Sequence, residues 1–578
     1  MDSKTLSSAG ADARSSWHDL ASRRRASPDF ASIPLHDFLT RSAAASPQST
    51  ALVFYGRTTS YGRLLEDVKR FANGLLGLGL HKGDRVGIML PNCPQAVIAY
   101  YGVLWAGGTV VMINPLYTPH ELRTQIADSG AQILVALDQF DSRIEEVRPD
   151  TGLEHVVLTG IQEQLPRVLR VLYTAKQLRA RRQTRTVRRG GVERFVKLLA
   201  GEPLERPVPV DPMEDLAVLQ YTGGTTGSPK GAMLTHANLV ANCQQIDTLY
   251  PGAPDGQMTI LGALPVFHAY GMTTVMNYGI MSGARIVLLP RFELKPVLEA
   301  IQRYRPRLFP GVPTMYIAIE NYHAVDRFDL RSVEWCISGA AALPEQVKDT
   351  FEELTGGRLV EGYGLSEASP VTHCNPLEGP QRPGSIGLPV PGTECRIVDL
   401  ETGLPVEPGE KGELLVKGPQ VMRGYWNRPD ETPAPVTDGW LRTGDVARVD
   451  EDGFYYIVDR KKEMVIVSGH NVYPREVEEV LYTHPAVLEA AVIGVPHRYS
   501  GEAVKAFVVL KQGEQASQQD LTAWCRRELA PFKVPRAIEF MDELPKTLIG
   551  KVLRRVLVER ERANAAEHPQ VNLPKEAA

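Results

Sequence analysis

Cysteine is scarce. The 578 residues hold six (Cys93, Cys243, Cys336, Cys374, Cys395 and Cys525), and none forms a CxxC pair. That spacing offers neither a disulfide framework nor a cysteine zinc site, and it fits a reducing cytoplasm. No charge of one sign is in excess: 64 Lys and Arg against 68 Asp and Glu leave −4, so nothing global favours nucleic acid as a partner. The first thirty residues lack the apolar core of a secretory signal, and Asp2, Asp12 and Asp19 argue against a transit peptide. Residues 1–30 read as a mobile tail. Long hydrophobic runs are missing too. The longest uncharged stretch, "PQAVIAYYGVLWAGGTVVMINPLYTP", is cut by Gly107, Gly108, Asn114 and Pro115. Each piece is shorter than the ~20 apolar residues of a membrane helix, so it reads as buried core.

The length exceeds one hydrophobic core, and two or more domains are expected. The first half alternates strand and helix: "DRVGIML", "CPQAVIAYYGVLWAG", "GTVVMIN", "HELRTQIADSG", "AQILVALD" and later "ARIVLLP", "KPVLEAIQRYR", "PRLFPGVP". Such alternation predicts parallel-rich sheets covered by helices. Beyond about residue 365, short strands with Gly and Pro turns predict a small β-barrel. After "YIVDRKKEMVIVSGHNVYPREVEEVL" a compact α+β unit follows. The expected fold class is α/β. An N-terminal domain spans 31–460, with the barrel at about 366–458, and a C-terminal α+β domain spans 461–578. A basic insertion, about 161–205, interrupts the pattern. Its stretch 167–197 carries eleven Lys/Arg and one acid. Two readings stay open for it, a solvated charged loop and a helix lying on anionic lipid.

Chemistry concentrates in "YTGGTTGSPKG", residues 221–231, with four glycines, three threonines, a serine and a lysine. Glycines let backbone N–H groups approach oxyanions, hydroxyls add donors and lysine adds charge. The P-loop pattern needs Ser or Thr after the lysine. Here Lys230 follows Pro229 and precedes Gly231, so a P-loop kinase or GTPase is excluded. Further stretches follow in order: "PVFHAYG" (265–271), "SGAAALP" (338–344), "EGYGLSE" (361–367), "GWLRTGD" (439–445), "DRKKEMVIVSGHNVYPREVE" (459–478) and "PKTLIGKVLRR" (545–555).

Together these seven stretches resemble the core motifs of the adenylate-forming superfamily, which holds acyl-CoA synthetases, luciferases and peptide-synthetase adenylation domains. The resemblance runs from about Ala51 to Arg555. Within the superfamily, "YTGGTTG", "FHAYGMTTVM", "NPLYTPHEL" and "DGWLRTGD…DRKKEM" look most like bacterial long-chain fatty-acid–CoA ligases. The resemblance implies a carboxylate attacking the α-phosphorus of ATP, then CoA thiolate attacking the acyl-adenylate.

The resemblance also assigns roles. Thr222, Gly223, Gly224, Thr225, Thr226 and Lys230 would wrap the β- and γ-phosphates, and Glu367 would hold Mg²⁺. Tyr363 would stack on adenine beside Glu361, Gly362 and Gly364, with Gly339 and Ala340 offering close backbone. Asp445 would accept both ribose hydroxyls, as an acceptor-only carboxylate can, supported by Arg460. Lys551 would bridge the carboxylate and α-phosphate in the first step. The C-terminal domain would then rotate about Lys462, and Gly469 would line the pantetheine passage; a plain turn glycine is its other reading. His268 borders the acyl carboxylate, either as a catalytic contact or as a satisfied core histidine. No acid stands in "FHAYG" to meet an ammonium, so a plain carboxylic acid is expected rather than an amino acid. Val312 and Met315 are candidates for the acyl tunnel wall.

The implied partners are fatty acid, ATP and CoA, with no fused carrier protein. The expected location is the cytoplasm, with peripheral association at the inner membrane face through the insertion. Open alternatives are an aryl or medium-chain acyl-CoA synthetase, a fatty acyl-AMP ligase serving a separate carrier, and a non-catalytic acyl-nucleotide sensor.

Overall fold

A computed structural model describes residues 29–166, 169–171, 190–222, 229–250, 257–379, 381–428, 436–468, 470–497, 500–547 and 550–567. The chain forms two compact units, Met1–Cys395 with Val416–Leu441, and Arg396–Leu415 with Arg442–Ala578. The domain boundary expected at 460 falls inside the second unit.

The first unit is α/β. Its strands are β1 (Thr50–Phe54), β2 (Arg57–Ser60), β3 (Arg85–Met89), β4 (Thr109–Met112), β5 (Ile133–Leu137), β6 (His155–Thr159), β7 (Val192–Arg194), β8 (Leu216–Thr222), β9 (Lys230–Thr235), β10 (Thr259–Gly262), β11 (Arg285–Leu288), β12 (Trp335–Ser338), β13 (Arg358–Gly364), β14 (Val371–Cys374) and β15 (Leu388–Pro389). They make a seven-stranded sheet ordered β7-β6-β5-β3-β4-β8-β9 and two four-stranded sheets, β10-β11-β1-β2 and β12-β13-β14-β15. The large sheet is parallel except where β8 meets β9. Every residue of β5 is buried, as expected of a strand covered on both faces.

The uncharged stretch behaves as core. All twelve residues of helix Pro94–Trp105 are buried. Among the described residues no helix is long and apolar enough to cross a membrane. Helix Pro119–Ser129 starts at a Thr118–Glu121 capping box and stops at left-handed Gly130, which fixes its ends locally. The strand expected at "PRLFPGVP" is not continuous. Leu308 and Gly311 make only single bridges, to Ile260 and Trp335 and to Ser338, because Pro306, Pro310 and Pro313 withhold ladder donors.

Short strands follow, Glu394–Val398, Gly412–Lys417, Val436–Thr437, Trp440–Val449 and Tyr455–Arg460. Within the second unit the last two pair antiparallel, with Asp445 opposite Arg460. The unit's main sheet joins Val465–Val467, His470–Val472, Val487–His497, Gly501–Leu510 and Ala537–Phe540. Alternation sorts its faces. Val492, Val504, Ala506 and Val508 pack with Val477, Leu481, Leu521 and Cys525 of two helices. Ala491, Ile493, Phe507 and Val509 pack with Leu557 of helix Arg554–Glu567. The α+β reading of this region and its helices at Pro474–Tyr482 and Gln518–Glu528 match the expectation.

Candidate active site

In the first unit the motifs converge at strand ends. Thr222 closes β8 and Lys230 opens β9 as register partners, and the Thr222 hydroxyl donates to the Lys230 carbonyl at 3.5 Å. The expected phosphate contacts Gly223, Gly224, Thr225 and Thr226 lie outside the described residues. The strand that enters this stretch is anchored. The Tyr221 hydroxyl donates to Asp128 at 2.6 Å, and burial and then Asp128 hold this phenol above its ordinary value. Arg428 donates to the other Asp128 oxygen at 2.7 Å. Asp128 therefore joins the helix Pro119–Ser129, β8 and the segment ending at Arg428.

Glu367 sits in a short 3-10 turn, Ser366–Ala368. Its carboxylate accepts the Tyr425 hydroxyl at 2.7 Å, and its carbonyl accepts the Met422 N–H at 2.8 Å. The Lys230 ammonium lies 5.3 Å from the centroid of the same Tyr425 ring. The expected metal ligand and the expected phosphate lysine thus meet on one tyrosine. Among the described residues no group of three or more His, Cys, Asp or Glu is placed to hold a metal ion. A lone carboxylate with one oxygen engaged by Tyr425 fits Mg²⁺, which takes one or two carboxylates and completes its shell from phosphates and water.

The expected acyl side is built from neighbouring segments. His268 caps the turn Ala269–Gly271, its Nδ1 accepting the Tyr270 N–H at 3.3 Å, ahead of a π-helical stretch, Met272–Asn277. The Gln220 amide reaches the Phe267 carbonyl at 3.3 Å, which ties β8 to this stretch. The Tyr270 hydroxyl donates to the Ile337 carbonyl at 2.6 Å, and a Cβ on Gly339 would stand 3.0 Å from the Tyr270 ring. Ala340 takes φ +69°, a left-handed value costly for a residue with a Cβ. Val312, at the start of helix Pro313–Glu320, and Met315 within it are both buried.

The expected nucleotide side follows β13. Buried Glu361 accepts the Leu343 N–H at 3.1 Å, so it latches the 338–344 loop to the strand. Gly362 packs on Ile337, and a Cβ on Gly364 would fall 2.0 Å from the Pro370 carbonyl, so only glycine fits there. Between them Tyr363 is half-buried and meets His373 edge-on, centroids 5.8 Å apart. The Thr273 hydroxyl donates to the Ser369 carbonyl at 2.6 Å, closing this wall against the π-helical stretch.

The second unit gathers the remaining candidates. Asp445 is buried, and the Arg460 guanidinium reaches it at 3.3 Å. Lys551 sits on a tight turn: its N–H donates to the Thr547 hydroxyl at 3.1 Å, and its carbonyl accepts the Thr547 N–H at 2.8 Å. Burial and then the like charge of Arg460 lower its ammonium to about 8, against the pull of Glu463 and Asp445, with Arg554 adding to the lowering. Asp445, Arg460 and Lys551 therefore share one electrostatic neighbourhood. Arg554 is fixed in turn by Glu478, at 2.7 Å, and by Glu463. Lys462 is exposed in the turn after Arg460, where the Glu463 N–H reaches the Arg460 carbonyl at 3.0 Å. Gly469 lies outside the described residues.

Two residues absent from the sequence expectations join the site, Tyr425 and Asp128. The available signal for Tyr425 was "MRGYWN", a glycine beside two aromatics; nothing in "QIADSG" marks Asp128.

Against this geometry the relationships to known proteins are consistent. Residues 39–426 match the AMP-binding enzyme family, and 476–551 match the AMP-binding enzyme C-terminal domain. A long-chain-fatty-acid–CoA ligase of Bacillus subtilis (strain 168) is 48% identical, over 92% of this chain and 95% of that protein. One from Escherichia coli O157:H7 is 42% identical, over 90% and 94%. The crystal structure of an anthranilate CoA ligase in complex with anthranoyl-AMP superposes with a TM-score of 0.82 at 30% identity, over 93% of this chain and 99% of that one. With both the large and the C-terminal segment matched, and with the first unit's motif residues gathered at strand ends, the chain belongs to the AMP-binding enzyme family.

Proposed function

We propose that the chain is an ATP-dependent long-chain fatty-acid–CoA ligase. A fatty carboxylate attacks the α-phosphorus of ATP, forming acyl-AMP and releasing pyrophosphate. CoA thiolate then attacks the acyl carbonyl, forming the thioester and releasing AMP. The observation that carries this reading is the pairing of Lys230 and Glu367 on Tyr425, which sets a cation and a carboxylate together beside β9, the strand that leaves the glycine- and threonine-rich stretch.

The first step brings two anions together, so it needs fixed cations and N–H donors. Lys230 and Thr222 serve the leaving pyrophosphate, and Lys551 neutralises the attacking carboxylate and the α-phosphate. Bound at Glu367, Mg²⁺ would offset phosphate charge. Asp445 orients the ribose, Tyr363 covers adenine, and His268 borders the reacting carboxyl. Lys551 serves only this step; exposed Lys462 is the hinge for its withdrawal, and Gly469 lines the thiol's approach. The preference for a plain, long acid rests on the absence of an acidic side chain in 265–271 and on the relatives named above.

The test is AMP formation with CoA across acids from acetate to oleate, with cinnamate as the aryl arm. Burial of each methylene contributes ~0.8 kcal/mol, so each added pair should raise kcat/KM about tenfold until the pocket is filled. A profile that peaks at acetate or cinnamate sinks the long-chain reading. Adenylate formation without transfer to CoA sinks the thioester step.

A further inference from the structure

We propose that Tyr425 is a positioning residue that sets the metal-side carboxylate of Glu367 and the phosphate-side ammonium of Lys230 against each other. The inference rests on the reading that both groups hold ATP. The Tyr425 hydroxyl donates to Glu367 Oε1 at 2.7 Å. The Lys230 Nζ lies 5.3 Å from its ring centroid, within cation–π range. The two contacts reinforce each other, because a phenol donating to an anion gains electron density in its ring and holds a cation more strongly.

The ring is held on both sides by main chain. The Met422 N–H meets the Glu367 carbonyl at 2.8 Å, the Met233 N–H meets the Gly424 carbonyl at 2.9 Å, and the Trp426 N–H meets the Gly231 carbonyl at 2.8 Å. Tyr425 itself bridges Ala232. Gly424 takes φ +145°, a conformation reserved for glycine, and it turns the segment just ahead of the ring. Residues 422–426 therefore lace the backbone of Glu367 to β9. The lacing continues to the entry side of the loop, where the Trp426 indole reaches the Asp128 carbonyl at 3.2 Å and Asp128 holds Tyr221. A side chain fixed this firmly, touching both charged groups, can set their separation.

ATP binding by calorimetry, in Mg²⁺ and in EDTA, tests this without turnover. Tyr425→Phe keeps the ring and loses the hydroxyl. It should reduce the gain from Mg²⁺ about tenfold, the worth of one charge-assisted hydrogen bond, and lower the EDTA affinity by less, through the ring's weaker hold on Lys230. Tyr425→Leu removes the ring as well and should also weaken binding in EDTA. A full Mg²⁺ gain in Tyr425→Phe, or equal losses with and without Mg²⁺, would overturn the role of Tyr425 while leaving the ligase reading intact. Wild-type protein that binds no ATP under either condition would overturn the ligase reading itself.

Discussion

Raising the pH should pull the two half-reactions apart, because Lys551 loses its charge first. Its ammonium is held at about 8 rather than at the ordinary 10.5, chiefly because burial disfavours the charged form. Arg460 and Arg554 push in the same direction, and Glu463 and Asp445 oppose them. The role proposed for this lysine in adenylation requires it to be charged. It is charged below pH 8, and as the pH rises through that value the charged fraction falls to about a tenth at pH 9 and about a hundredth at pH 10. The kcat/KM for ATP–pyrophosphate exchange reports the free enzyme, so it should fall about tenfold per pH unit above 8. Thioester formation from supplied acyl-adenylate needs CoA thiolate, a thiol group titrating near ~8.5, so its rate should rise or hold over the same range.

Two variants isolate the cause. Lys551→Arg cannot lose its charge in this range. Its exchange will be slower, because a planar guanidinium does not fit an ammonium's place, but it should show no alkaline fall. Lys551→Ala should abolish exchange and largely spare transfer of a supplied acyl-adenylate to CoA. Wild-type kcat/KM that stays flat to pH 9.5, or an alkaline fall retained in Lys551→Arg, would refute the reasoning.

Asp445→Ala should raise the KM for ATP about tenfold or more through loss of the ribose acceptor, and an unchanged ATP dependence of AMP formation would refute that role. Acid should destabilise the first unit through buried His36 and His236, which burial lowers from 6.5 to about 4 and about 3. Between those values and 6.5 the unfolded chain binds more protons, so stability present above pH 6.5 is lost as the pH falls, by about 3 kcal/mol for His36 and about 5 kcal/mol for His236 over the full range. His236→Asn should flatten the dependence of the melting temperature on pH between 7 and 4.5, and an unchanged slope would exclude this source. Binding to anionic vesicles should weaken with salt and with deletion of 167–197, since each basic residue near such a surface contributes ~1 kcal/mol; indifference to both leaves only a solvated loop.

What could be read in the sequence was local chemistry. Glycine, threonine and lysine in 221–231 carry their meaning within eleven residues. Helix Pro94–Trp105 was legible as core because glycine and proline follow it closely. The irregular path at 306–313 was less legible: apolar residues implied a strand, and only the bridges to two sheets show that the prolines leave single contacts.

Tyr425 and Asp128 belong to the other class, residues whose partners are chosen by topology. Tyr425 lies 58 residues from Glu367, and Asp128 lies 300 from Arg428. Neither separation has a periodicity that spacing can detect. The reason they matter is nevertheless physical. Four glycines in 221–231 bring no side chains to pack, and the described residues at both ends of the stretch are tied to other parts of the fold. At the entry, Tyr221 is tied to Asp128; at the exit, Gly231 is tied to the Trp426 N–H. Both ties run to residues 425–428, through the Trp426 backbone and through Arg428 on Asp128. The two ends of 221–231, the stretch expected to hold phosphate, are therefore fixed by a distant segment, and that segment also carries the tyrosine between Lys230 and Glu367.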